Sequence, residues 1–399
     1  MRFFIVHIGN FLLDGNSGVA QKTFAQAEQF RSLGRQVEVV AFSSRASQSV
    51  NHSYLFTRID TSHLKDPFEA VIDFFRNSLD SRDVVFLRYP FASQGLLNLV
   101  DVYGSQIVFE HNTIEQQEVS LSQREHFRRQ PFSIRPSYIA YFIKTFVLNK
   151  TREQEFGPRI LRRAAGGVCV TQEIADYEQR RCSGYKTIAI GNAGPLPSRV
   201  ETDLPEFNQT LRVVMVLGAL HPWHGLDRAL RALEVYHDQQ IFIELDLIGI
   251  TESELPAIKK STSYQVRTLG RLTPMQLDDA MAGYHVAIGS LALHRIGLKE
   301  ASPLKVRQCM MSGLPVVLGY FDTDASQSKE LSRYVCQFPA DDSLLDWSRI
   351  VHFYEGISKD QSSREKLIAA ARTELSFAVK AHKCLDFIDS CMSENAPNP

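Results

Sequence analysis

The chain has 399 residues, with 44 Lys and Arg against 45 Asp and Glu and a formal net charge of −1. That balance argues against bulk, charge-driven binding of nucleic acid, and the length suits two domains better than one core. Cys169, Cys182, Cys309, Cys336, Cys384 and Cys391 lie scattered without a C-x-x-C spacing, which argues for a reducing, cytoplasmic setting and against structural zinc.

Residues 3–8 form a short apolar run that predicts a buried strand. His7 and Asn10 interrupt it, and no small-x-small site follows, so it does not read as a signal peptide. A loop over 9–18, a helix over 19–33 closed by Gly34 and a strand over 37–42 make a βαβ unit with parallel strands. The stretch Asp14-Gly15-Asn16-Ser17-Gly18 lacks the G-x-G-x-x-G spacing of a dinucleotide site, although Gly15 and Gly18 would let a ligand approach the backbone closely. Strands predicted over 84–87 and 107–109 run into Arg88 and into Glu110-His111. Ligands of open α/β sheets bind beyond the carboxyl ends of strands, so Arg88, Glu110 and His111 are site candidates.

From 118 to 163 the pattern is helical, basic and aromatic. Ten Lys or Arg stand against three acidic residues between 122 and 163. Such a segment either lies on a membrane interface or buries its rings and solvates its charges. The longest apolar stretch, 138–148, is too short to span a bilayer and contains Lys144. Strands over 167–171 and 187–190, with a helix over 174–180 between them, complete the first half. Gly194, Pro195, Pro197 and Pro205 then mark a linker within 192–209. A second alternation follows, with strands over 211–217, 242–248, 264–269, 286–288 and 316–318 and helices over 226–235 and 275–282. Alternation of this kind predicts parallel sheets covered by helices on both faces.

The stretch 300–318 carries the strongest local signals. Ser302 suits an N-cap, Pro303 the first helical position and Gly313 the residue after the end, which predicts a helix over 303–312. Its N-terminal N–H groups and Lys305 would attract an anion. Gln308 and Ser312 extend a polar stripe from Lys305, and Glu300 stands just ahead of the cap. In the loop between Gly218 and Gly225, His224 is delivered to the next helix N-terminus. Asp322-Thr323-Asp324 matches a metal-binding D-x-D pattern, but three residues this loosely defined are read as a chance match.

Glu300, S-P-L-K, Gln308 and the Gly-x-Pro-Val-Val turn together resemble the donor-site signature of retaining GT-B glycosyltransferases of the GT4 type. The resemblance implies two Rossmann-like, doubly wound α/β domains facing a cleft. An acceptor-side domain would span 1–196 with a returning helix within 376–399, and a nucleotide-sugar domain would span 197–375. It implies that Glu300 holds the donor sugar and that His111 reaches it from the other domain, the two forming the catalytic set. Lys305, Ser302, His224 and Arg295 would serve the diphosphate, Gln308 the ribose, and Gly18 the cleft. Ala219 and His224 stand where the family has Arg and Lys, and Gln308 where it has a second Glu.

The implied reaction moves a hexose from a nucleotide-diphosphate sugar, such as a UDP-sugar, to a hydroxyl of a glycan, protein or lipid-linked acceptor. Retention is implied, with no metal or other cofactor and no nucleic-acid partner. The implied setting is the bacterial cytoplasm, with peripheral contact to the inner membrane face through 122–163. The three departures also suit a non-catalytic partner of another transferase, and a nucleotide-sugar epimerase is a further reading on the same fold.

Overall fold

The computed structural model describes residues 1–9, 18–44, 56–114, 135–197, 201–237, 240–255 and 261–394; within the helix Arg135–Arg163, side chains are described at 148 and from 150 onward. The chain divides into two compact units, 1–190 with 377–399, and 191–376.

The first unit is built on seven parallel strands: β1 (Arg2–Ile8), β2 (Gln36–Ser43), β3 (Phe56–Asp60), β4 (Val84–Arg88), β5 (Ile107–His111), β6 (Gly166–Cys169) and β7 (Thr187–Ala189). Their order in the sheet is β3-β2-β1-β4-β5-β6-β7, which reverses direction between β1 and β4. Both faces of β1 are buried because its odd and even residues face different helices. Phe3 and Ile5 join Phe24, Phe30 and the returning helix Phe377–Glu394 through Ala381, Leu385 and Ile388. Phe4 and Val6 join Phe68, Val71, Phe75 and Leu96 on the opposite face. A strand covered twice carries an unbroken apolar run, as residues 3–6 do.

The edge strand β3 had no such signal, because it is only partly buried. Side-chain caps start the helices on one face of the sheet. Asp66 caps Pro67–Ser78, Ser93 caps Gln94–Tyr103 and Thr171 caps Gln172–Arg181. Residues 115–134, which include much of the basic aromatic stretch, lie outside the described residues. In the helix Arg135–Arg163, Lys150, Arg152, Arg159, Arg162 and Arg163 are exposed or half-buried, while Ile160 and Leu161 enter the core. Among the described residues no helix is long and apolar enough to cross a membrane.

The second unit repeats the plan with β8 (Thr210–Val216), β9 (Phe242–Ile248), β10 (Tyr264–Gly270), β11 (Val286–Ile288), β13 (Val316–Leu318) and β15 (Val335–Gln337). These parallel strands run in the order β10-β9-β8-β11-β13-β15, with the reversal between β8 and β11. A two-residue ribbon, β12 (Glu300–Ala301) and β14 (Phe321–Asp322), lies apart from the main sheet. The chain is already part of this unit at Asn192, whose backbone N–H donates to Ser302 Oγ at 2.7 Å and whose amide donates to the Ser302 carbonyl at 2.6 Å. Gly194 then donates to the Leu375 carbonyl at 2.8 Å. The proline- and glycine-rich stretch that reads as linker therefore begins as bonded structure of the second unit.

Candidate functional site

In an open α/β sheet the strand-order reversal leaves a crevice at the carboxyl ends of the strands. In the second unit β8 leads there into Leu217 and Gly218, and the side chain that fills this corner is Lys305. Its Nζ lies 3.0 Å from where a Cβ on Gly218 would stand, so the ammonium occupies space that any other residue at 218 would contest. No carboxylate among the described residues pairs with it. Burial pushes its pKa down to about 8, with only the Cys309 thiol acting in the other direction.

Lys305 sits in the first turn of the helix Leu304–Met311. Bonding inside the helix begins with Val306 and Arg307 donating to the Pro303 carbonyl, which leaves the N–H groups of Leu304 and Lys305 ahead of it. The expected cap at Ser302 is not what starts this helix. Pro303 occupies the cap position without a side-chain bond, and Ser302 is buried with its Oγ taken by Asn192 N and by Arg307 Nη2 at 2.6 Å. A hydroxyl held by a guanidinium is not available to cap, so Ser302 positions the loop and does not present to a ligand.

His224 lies near Lys305. Its Nδ1 lies 3.4 Å from the His221 N–H, and the ring also hydrogen-bonds the Ala219 backbone. Burial first, then the charges of Lys305 and His221, lower its pKa to about 3 against the raising effect of the Ala219 backbone, so the ring is neutral near neutral pH. Trp223 stacks on His221 at 4.2 Å, and the loop is tied down by Leu291 N donating to the His224 carbonyl at 2.9 Å. Gly225 follows at φ 69°, with Leu291 Cβ only 2.8 Å from a Cβ that it lacks. The helix Leu226–Glu234 starts directly after it.

Arg295 does not add a charge for a ligand here. It is clamped by Asp227, by Asp342 and by the Pro222 carbonyl, so its donors are used in holding the loop. Gln308 donates from Nε2 to Asp278 Oδ1 at 3.2 Å, which couples it to a carboxylate on the neighbouring helix Pro274–Met281. Glu300 is half-buried on β12. The D-x-D aspartates are not arranged for a metal. Asp322 Oδ2 and Asp324 Oδ2 take Arg307 Nη1 and Nη2 at 2.7 and 2.9 Å, and no group of His, Cys, Asp and Glu among the described residues is placed to hold a metal ion.

In the first unit the strand-end candidates separate by face. Glu110 meets Lys22, from the helix Gly18–Ser32, at 2.6 Å, and Lys22 also donates to Asn112 Oδ1 at 2.8 Å. Arg88 lies near enough to act on Glu110 and His7 electrostatically. Gly18 is the exposed first residue of that helix, and Gly15 lies outside the described residues. His111 points the other way and is 0 % exposed, stacked on Tyr89 at 4.8 Å with its Nε2 3.2 Å from the Tyr185 hydroxyl. Its Nδ1 has no hydrogen-bond partner and lies 3.7 Å from Glu178 Oε1. The expectation that His111 reaches a sugar meets a ring that is wholly buried in the core, on the face of β5 opposite Glu110.

Lys22 and Arg307 are among the polar residues that sequence reasoning overlooked. Lys22 carried no motif, and Arg307 stands outside the stripe of Lys305, Gln308 and Ser312. Burial acts to raise the Glu110 pKa, but the charges of Lys22 and Arg88 outweigh it and bring it to about 2, below its ordinary 4.5. A folded-state pKa below the unfolded value contributes stability that is present above pH 4.5 and is lost as the pH falls towards 2. Glu110→Gln should therefore be less stable than wild type at pH 6, and the gap should close on acidification, as read by urea midpoints from pH 6 to 2.5. A gap independent of pH would show that the pair contributes nothing through its charge.

No protein-family model and no curated protein sequence matches the chain. Solved structures do. A glycosyltransferase from Rickettsia africae ESF-5 superimposes with a TM-score of 0.60 at 10% identity, covering 98% of this chain and 99% of that one. HepE of Anabaena in complex with UDP gives 0.57 at 12% identity, with 98% and 100% coverage. An alpha-glucosyltransferase in complex with UDP and a 13-mer DNA gives 0.54 at 13% identity, again covering 98% and 100%. A fold of this kind thus occurs in a protein solved with DNA, so the near-zero charge of this chain does not by itself dismiss nucleic acid. At such low identity the likeness shows the fold, and the chain has the GT-B fold of two Rossmann-like domains.

Proposed function

We propose that the protein is a glycosyltransferase that draws a hexose from a UDP-sugar or similar nucleotide-diphosphate sugar. The diphosphate would rest on Lys305 and on the N–H groups of Leu304 and Lys305, with the neutral ring of His224 beside them. One observation carries this reading: the ammonium of the half-buried Lys305, without a carboxylate partner among the described residues, stands at a helix N-terminus in the strand-reversal crevice. A buried cation left unpaired is costly, and an incoming anion relieves that cost. UDP in two of the similar structures supports a diphosphate as that anion.

Chemically, the departing diphosphate gathers negative charge as the glycosidic bond breaks, and fixed donors in a low-dielectric corner stabilise it without reorganising. Lys305 supplies full charge there and the backbone N–H groups of Leu304 and Lys305 supply hydrogen bonds. Glu300, five residues ahead of Lys305, would hold sugar hydroxyls. Gln308 and its partner Asp278 would offer an amide and a carboxylate to the ribose. Retention and independence of metal belong to the same proposal. The first rests on the resemblance of the 300–318 stretch, the second on a diphosphate met by the Lys305 ammonium while Asp322 and Asp324 are committed to Arg307. The acceptor would offer a hydroxyl on a glycan, protein, lipid or nucleic acid.

Calorimetry with UDP across pH tests the site. Because Lys305 loses its proton near pH 8, UDP affinity should hold up to about pH 7 and fall as the pH rises through 8 to 9. Absence of UDP binding at pH 7, or an affinity that does not change over this range, would remove Lys305 from the proposal. UDP binding without release of sugar from UDP-glucose, UDP-galactose or UDP-N-acetylglucosamine would favour a non-catalytic partner of another transferase.

A further inference from the structure

Phe321 is 52 % exposed, and no other phenylalanine among the described residues is as open to solvent. Its exposure is enforced by its neighbour. Asp322, 2 % exposed, turns inward, with Oδ2 on Arg307 and Oδ1 accepting from Asp324 N at 3.1 Å and Ala325 N at 3.0 Å. Successive residues of a strand face opposite ways, so pinning Asp322 inward displays Phe321 outward. The ribbon register pairs Glu300 with Phe321 and Ala301 with Asp322, secured by Phe321 N donating to the Lys299 carbonyl at 2.8 Å. Residues in register on parallel strands share a face, about 4.8 Å apart. Glu300 and Phe321 are therefore side-by-side neighbours, a carboxylate beside an exposed phenyl ring.

We propose that Phe321 is a specificity-determining residue, the platform on which the apolar C–H face of the donor's pyranose stacks while Glu300 takes its hydroxyls. The inference rests on the nucleotide-sugar reading and adds to it the recognition of the sugar. A pyranose has one edge of hydroxyls and faces of C–H bonds, and an acid next to an aromatic face matches both. It also gives the D-x-D stretch a task, since Asp322, through Arg307, fixes the direction in which the ring is shown.

The test is calorimetry with UDP, UDP-glucose, UDP-galactose and UDP-N-acetylglucosamine on wild type, Phe321→Ala and Phe321→Trp, with melting temperatures as a control for folding. The expected result is equal affinity for UDP in all three proteins. At least one UDP-sugar should bind wild type more tightly than UDP does. That gain should fall about five- to tenfold in Phe321→Ala and survive in Phe321→Trp. An unchanged gain in Phe321→Ala, or an equal loss for UDP and UDP-sugars, would overturn the assignment, as would a wild type for which no sugar adds affinity. Wild type that fails to bind UDP at all would end the donor-site reading and this inference together, which separates that failure from the others.

Discussion

Replacement of Arg307 by alanine should destabilise the second unit by about 3–5 kcal/mol, the cost of removing one partner of a buried ion pair. The guanidinium is 0 % exposed and contacts four groups: Asp322, Asp324, Ser302 Oγ and the Asn192 carbonyl. Burial works to discharge it, and the two aspartates more than reverse that, raising its pKa. Without it Asp322 keeps a charge with no cation and almost no access to water. Arg307→Lys should recover only part of the loss, because one ammonium cannot span a fork that serves two carboxylates and a hydroxyl. Arg307→Met combined with Asp322→Asn and Asp324→Asn should be more stable than Arg307→Met alone, since the stranded charges go with their partner. Chemical unfolding of the four variants measures this, and a loss below about 1 kcal/mol for Arg307→Ala would place the network at the low value of a solvated surface pair.

Replacement of Lys305 by methionine should act in two directions. A charge-assisted hydrogen bond is worth about 1.5–3 kcal/mol, so UDP should bind at least tenfold more weakly. The unliganded protein should become more stable, because an unpaired, partly buried charge has been removed. The same logic sets the pH dependence. The folded-state pKa of Lys305 lies below its unfolded value of 10.5, so its destabilising contribution is full below about pH 8 and is relieved as the pH rises from 8 towards 10.5. Stability of the unliganded protein and affinity for UDP should therefore move in opposite directions above pH 8, and Lys305→Met should flatten both trends. Thermal unfolding with and without UDP reads both at once. A variant that still gains the wild-type shift with UDP would show that the diphosphate lies elsewhere.

Much of the second unit was legible from local signals. The strands expected over 242–248, 286–288 and 316–318 coincide with β9, β11 and β13, and the helix expected over 226–235 matches Leu226–Glu234 within a residue. These elements carry apolar runs long enough to be covered on both faces, or an amphipathic repeat with a clear stop. The partly buried edge strand β3 had neither signal. At the site, Lys305 was legible because a cation in the first turn of a capped-looking helix is a local pattern. The role of Ser302 was not, because its hydroxyl answers to Asn192 and Arg307 rather than to its own helix.

By itself the sequence determined two alternating α/β units and an anion-attracting helix start after Pro303, because periodicity, apolar runs and Gly and Pro punctuation act over a few residues. Tertiary structure decided which polar residues meet. His111 and Glu110 end the same strand, yet β5 is buried on both faces and so shows no alternation from which the facing of either could be read. One partner of Arg295 is 68 residues away at Asp227, Ser302 meets Asn192 across 110, and the corner beside Gly218 is filled by Lys305. Charges that distant along the chain are paired by the packing of strands and loops, and whether a cation ends up neutralised, like Arg295, or waiting for an anion, like Lys305, is settled only there.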